Sequence, residues 1–183
     1  MGREKSKLRL GPRTLLGHIK ASAQSSGLKL RIIRSDAVGR CGPIGGIYTG
    51  LATSKTDAEI FLACDMPFVS ERLIAELVTS WRQHRKAVFT TRGDERAANH
   101  RPEGGFPLIV PSAALPAIRA LISKKQFSLQ QLAAALDARF LKPQPNRRHE
   151  LLNVNTPADF EEAVRQWEKA RTQGEVRKTV CKE

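Results

Sequence analysis

No apolar run in the 183 residues approaches the roughly 20 needed to cross a bilayer as a helix, which excludes a helical membrane span. Cysteine is scarce. Cys41, Cys64 and Cys181 share no metal-ligand spacing, and an odd number does not make a disulfide framework, so all three read as free thiols. Acid is nearly absent from the opening: residues 1–34 hold nine Lys/Arg against Glu4 alone. That stretch has no apolar core of the secretory kind, so a cytoplasmic location is the expectation. A single tyrosine and no recognised nucleic-acid motif count against a nucleic-acid platform, although a basic surface can bind phosphates without either. There is no internal repeat.

What remains is globular in composition, 40% apolar and 27% charged, and its length fits one domain, expected over residues 1–167, with a charged and flexible tail over 168–183. The net charge of +13 is uneven. Residues 1–34 carry +8 and residues 35–81 carry −3, so the opening is the anion-seeking end. Charge alone favours a solvated basic surface over a binding patch.

Hydrophobic spacing predicts a helix over 14–25 with Gly27 as its stop, then a short β-branched strand over Leu28–Ile33. Cys41-Gly42-Pro43-Ile44-Gly45-Gly46 reads as a glycine-rich turn opening a helix through Ile47, Tyr48 and Leu51. The apolar run Ile60–Cys64 suits a strand buried on both faces, with Cys64 as a core residue. Ser70 would cap a helix whose stripe is Leu73, Ile74, Leu77, Val78 and Trp81. Further strands are expected at Ala87–Thr91, Phe106–Val110 and Leu151–Asn155, with a polar loop over 92–105. Further helices are expected near Ala113–Ile122, from the Ser128 capping box to about Ala138, and after Thr156-Pro157. Alternating strands and helices imply a layered α/β fold with a mostly parallel sheet, which binds ligands beyond the carboxyl ends of its strands.

Asp65 follows its apolar strand directly, where a carboxylate suits Mg²⁺, a cation that takes one or two carboxylates and completes its shell with water and substrate phosphates. Position alone makes a turn cap beside Pro67 an equal alternative. Gly42, Gly45 and Gly46 permit close backbone approach to an anion at a helix start, but tight turns use glycine as well. Asn153 and Asn155 are two apart, so on a strand both would face one side; capping before Thr156 is the plainer role, above all for Asn155. Lys5 and Lys7 could offer ammonium groups to phosphates. The four histidines fall in no nucleophile or metal motif.

In order along the chain stand Met1-Gly2-Arg3-Glu4-Lys5, Asp36 before Gly42-Pro43-Ile44-Gly45-Gly46, Cys64-Asp65-Met66-Pro67-Phe68, and Asn153-Val154-Asn155-Thr156-Pro157. This series resembles the molybdenum cofactor guanylyltransferase family of MobA-like NTP transferases, whose members show L-A-G-G-x-S-x-R-M-G-x-D-K, an acid before G-P-L-x-G, C-D-x-P-[FY] and N-x-N-T-P. The resemblance implies a three-layer, Rossmann-like nucleotidyltransferase fold. It also implies transfer of GMP from GTP to a molybdopterin-type cofactor, with release of pyrophosphate. By it Lys5 and Asp65 would be catalytic, Lys5 holding phosphates and Asp65 binding Mg²⁺. Asp36 and Gly42 would bind the nucleotide with them, and Asn153 and Asn155 would line the acceptor side. Molybdoenzymes or cofactor-delivery proteins would be partners.

Two departures shape the expectation. The chain begins at the methionine inside the first motif, so the first strand and its L-A-G-G loop are expected to be missing, with the natural start upstream. Glu4 stands where the family has aspartate. Base choice is not readable, so cytidylyl transfer, sugar-phosphate nucleotidyl transfer and a non-catalytic nucleotide-binding module stay open beside guanylyl transfer.

Overall fold

The computed structural model describes residues 7–93 and 103–180, the last eight by backbone alone. A two-residue-per-strand hairpin, β1 (Arg9–Leu10) and β2 (Arg13–Thr14), leads into α1 (Leu15–Ser25). Then come α2 (Gly42–Ala52), β3 (Ala58–Phe61), α3 (Glu71–His84), β4 (Val88–Thr91) and β5 (Gly104–Pro111). The chain closes with α4 (Leu115–Ser123), α5 (Leu129–Ala135), β6 (Arg139–Leu141), a 3-10 segment over Pro145–Leu151 and α6 (Pro157–Val180).

The main sheet has the order β3-β5-β4-β6. β5 runs antiparallel to both β3 and β4, while β4 and β6 are parallel. Three strands therefore point one way, as the alternation of elements implied, and β5 is the reversed one. Period-2 alternation sorts the core into two layers. Phe89, Leu108 and Val110 face α2, α4 and α5, meeting Ile44, Ile118 and Leu132. Val88 and Ile109 face the other way onto Leu77 of α3, and beside them Ile19 of α1 packs with Leu73 and Ile74. These layers on both faces make the fold three-layered.

Helix starts follow the local chemistry. Thr14 accepts the Gly17 N–H, Ser70 accepts the Leu73 N–H, and Ser128 with Gln131 forms a reciprocal capping box. α6 opens the same way: Thr156 Oγ1 accepts the Asp159 N–H, and Asp159 Oδ2 accepts the N–H groups of Thr156 and Asn155.

Several expectations need correction. Residues 28–33 form no strand ladder, and neither do residues 152–155. The first has no neighbouring strand to pair with; the second is held by single bonds to the loop after β3 and to α6. α6 runs on through the charged stretch after residue 168 to Val180, in keeping with the helix propensity of its Glu, Lys and Arg residues, and residues 181–183 lie outside the described residues. Cys64 is exposed, because the β3 ladder stops at Phe61 and the chain has turned by residue 64. His18 is buried: its Nε2–H donates to the Leu10 carbonyl at 2.8 Å and its ring meets Trp167 edge-on at 4.9 Å. This contact fastens the hairpin and α1 to α6. Among the described residues no helix is long and apolar enough to cross a membrane.

Candidate nucleotide site at the sheet end

Asp65 sits four residues past the β3 ladder, within the turn that leads to α3. Its carbonyl accepts the Val154 N–H at 2.8 Å, which draws the segment before α6 against the end of β3. Asn153 therefore lies beside Asp65 although 88 residues separate them. Asn153 Oδ1 is buried with no hydrogen-bond donor on it, and Asp65 Oδ1 is buried in the same condition while the residue makes other contacts. An unsatisfied buried oxygen is costly unless something supplies it. A carboxylate oxygen and an amide oxygen are each hard donors of the kind Mg²⁺ accepts, a cation that takes its remaining ligands from water and phosphate. Among the described residues no group of three or more His, Cys, Asp or Glu side chains is placed to hold a metal ion.

Asn155 does not share that setting. It is exposed, and its N–H is bound in the α6 cap. The same-face relation to Asn153 required a strand, and residues 152–155 are not one.

The segment leading to Asn153 is anchored by an ion cluster that motif reading did not single out. Arg147, 12% exposed, meets Glu150 at 2.9 Å and reaches Glu76 of α3 at 2.7 Å. Arg72 completes the cluster at 3.1 Å from Glu76. The hydrogen bond to Glu150 raises the Arg147 pKa above its ordinary value against the opposing effect of burial. Burial pushes the Glu76 carboxyl upward, but hydrogen bonds from Arg147 and Arg72 outweigh it and hold the group below the usual carboxylate range. The Arg147–Glu150 spacing is visible in the sequence; the link to Glu76, 71 residues away, is not.

Asp36 and Gly42 lie at the start of α2. Gly42 adopts φ +53°, a conformation that favours glycine, and Pro43 follows within the first turn. No side chain caps this helix; Cys41 Sγ donates instead to the Gly39 carbonyl at 3.3 Å. The Asp36 carboxylate leans over the first turn, where a methyl group on Gly45 would stand 2.8 Å from Oδ2 and one on Gly46 would stand 3.6 Å from Oδ1. A carboxylate near a helix N-terminus is electrostatically favoured. The loop is tied down by the Ala37 N–H to Thr49 Oγ1 at 2.8 Å, and Thr49 Oγ1 in turn donates to the Gly45 carbonyl at 2.7 Å. The glycines of α2 thus serve contacts within the chain: Gly45 receives Asp36, and Gly50 receives the Phe61 ring.

Asp36, Gly42 and Cys64 line one cavity of about 380 Å³, so the start of α2 and the end of β3 open onto a common space, with Asp65 one residue further on. Lys5 lies outside the described residues.

The family model for the MobA-like NTP transferase domain matches residues 1–142. A probable molybdenum cofactor guanylyltransferase of Flavobacterium johnsoniae is 29% identical over 115 residues, covering 63% of this chain and 57% of the relative. The molybdenum cofactor guanylyltransferase of Syntrophotalea carbinolica is 28% identical over 141 residues, covering 74% of this chain and 64% of the relative. The chain thus spans less than two thirds of the length of either relative. Among solved structures, molybdopterin-guanine dinucleotide biosynthesis protein A from Archaeoglobus fulgidus superposes with a TM-score of 0.68 at 18% identity, over 92% of each chain. The 2-C-methyl-D-erythritol 4-phosphate cytidylyltransferase of Thermus thermophilus superposes with 0.62 at 16% identity, over 90% of this chain and 93% of that one. Both likenesses are of fold. The sheet order, the two-sided helical layers and a match over most of the chain agree: this chain belongs to the MobA-like NTP transferase domain family.

Proposed function

We propose that the protein transfers GMP from GTP to a molybdopterin-type cofactor. The terminal phosphate oxygen of the acceptor attacks the α-phosphorus of GTP, the bond from that phosphorus to the bridging oxygen breaks, and pyrophosphate leaves. The observation that carries the reading is the bond from the Val154 N–H to the Asp65 carbonyl, which brings the backbone of the Asn153 segment to Asp65 after β3, one residue from the cavity that Asp36, Gly42 and Cys64 line. The names of the relatives favour guanylyl over cytidylyl transfer.

Asp65 would hold Mg²⁺, and the Asn153 amide oxygen could serve as a further hard donor. When bound, the ion neutralises charge on the phosphates as the transferring group develops its transition state. Asp36 accepts N–H donors of the base, a role that an exposed carboxylate fixed over α2 can fill. Gly42 lets backbone approach the nucleotide. Lys5 contributes a cation to the phosphates, and Asn153 borders the acceptor, with Asn155 at the exposed α6 cap a lesser contributor.

Thermal unfolding with GTP, CTP and ATP, each with and without Mg²⁺, tests the assignment. A rise in Tm with Mg-GTP that exceeds the rise with Mg-CTP and Mg-ATP supports it. A CTP preference would favour cytidylyl transfer, and no response to any nucleotide would overturn nucleotide binding by this chain.

A further inference from the structure

Residues 145–155 cross from β6 to the start of α6 without joining the sheet, so their placement depends on individual contacts. Residues 152–155 form no ladder, and the Val154 N–H meets the Asp65 carbonyl through a single bond. One hydrogen bond fixes a distance but leaves the chain free to twist about it, whereas the successive bonds of a ladder fix both. Leu151 is buried with Met66, Val69, Leu73 and Ile74, and apolar burial of that kind is non-directional. The direction of the segment needs another source.

Arg147 supplies it. Its Nε and Nη2 donate to the two oxygens of Glu150 at 3.1 and 2.9 Å, a bidentate pair inside the 3-10 segment, and its Nη1 donates to Glu76 Oε1 of α3 at 2.7 Å. The guanidinium donors lie in one plane, so the contacts define an orientation as well as a distance. Arg147 and Glu150 are nearly closed to solvent, with side chains 12% and 6% exposed. Desolvation offsets much of the attraction in such a pair, and apolar residues of like shape often hold a fold equally well. Net stability is therefore a poor reason for burying the pair. Orientation is a better one.

We infer that Arg147 is a positioning residue, whose fork holds the segment after it in the one arrangement that sets Val154 on the Asp65 carbonyl and buries the Asn153 amide oxygen. Glu76 is the fixed point, because α3 is anchored in the core by Leu73, Ile74 and Leu77. The placement stands on geometry alone. Its consequence, that Arg147 governs use of the acceptor and not binding of GTP, rests on the nucleotidyl-transfer reading.

The test uses the full chain and three variants. R147M/E150M removes both charges of the buried pair and leaves Glu76 with Arg72. E76A removes only the tie to α3, at a helix position that favours alanine. R147K keeps the charge and loses the fork. Amide hydrogen exchange at Val154, measured against the amides of β5, reads the placement without reference to activity. In all three variants Val154 should exchange about tenfold faster or more relative to β5. With molybdopterin as acceptor, KM for the acceptor should rise about fivefold or more, while the dissociation constant of GTP stays within about twofold of the parent's. Parent-like exchange at Val154 would overturn the inference, and so would equal acceleration at Val154 and β5, which would make the cluster a stabiliser of the whole fold. Parent-like exchange in R147K alone would overturn the fork, since charge would then suffice. Selective acceleration at Val154 with an unchanged acceptor KM would support the placement and count against Asn153 as an acceptor residue. Absence of transfer in the parent would count against the nucleotidyl-transfer reading, with the exchange rates still deciding the role of Arg147.

Discussion

Asp36 occupies the space that a side chain on Gly45 would need, its Oδ2 lying 2.8 Å from where a β-carbon would stand. The carboxylate and the helix start are therefore fitted to each other, and neither can change without moving the other. Gly45→Ala should displace the carboxylate and reduce discrimination between GTP and CTP, measured as the ratio of their dissociation constants. At Gly46 the nearest Asp36 oxygen is 3.6 Å away, an ordinary contact, so Gly46→Ala should leave that ratio unchanged and stabilise the helix by up to about 1 kcal/mol. Gly50→Ala meets the Phe61 ring at 2.5 Å and should destabilise by about 1–3 kcal/mol in denaturant unfolding.

Asn153→Ala removes a buried oxygen that has no donor in the free protein, so it should leave stability within about 1 kcal/mol of the parent. Acceptor use should nevertheless fall in steady-state assays, and by more than GTP affinity falls. Asn155→Ala alters an exposed residue whose N–H still reaches Asp159, and should weaken acceptor use less. Equal losses in both variants would return Asn155 to the same footing as Asn153.

The α6 cap should be worth about 1 kcal/mol, the loss expected for Thr156→Ala on removal of the hydroxyl that accepts the Asp159 N–H. Thr156→Ser should restore most of it. Urea midpoints of the three proteins check this.

The Glu76–Arg147–Glu150 cluster predicts a particular acid response. Because the folded-state pKa of Glu76 lies below its ordinary value of 4.5, its contribution to stability is complete above that pH and is lost as pH falls through the lower folded value. Glu76→Gln should be less stable than the parent at neutral pH, and the difference should shrink as pH falls below 4.5. A difference that is constant with pH would show that the ionised pair with Arg147 contributes nothing.

Much of this arrangement was legible in the sequence because it is local. Thr14, Ser70, Ser128 and Thr156 each announce a helix start within four residues, and each caps as its spacing implies. Asp65 at the end of an apolar run marked the sheet end, and Asp36 before Gly42 marked the start of α2. The failures are non-local. Leu28–Ile33 has strand composition, but a strand exists only with a partner, and none stands beside it. β5 is reversed between β3 and β4, and strand direction is not written in a period-2 pattern. Asn153 and Asn155 have matching chemistry but different burial, set by the Val154 bond to Asp65 and the Asp159 cap. Leu30 and Ile32 lie in that unpaired segment and are exposed.

The proposed function depends most on Asp65 as the metal-holding carboxylate at the end of β3. Asp65→Asn conserves shape while removing the charge, and circular dichroism confirms that the variant folds. Isothermal titration of GTP at increasing Mg²⁺ should then show affinity that climbs with the metal in the parent and stays flat in the variant. Equal metal dependence in both proteins would contradict the assignment of Asp65, and with it the account of this site.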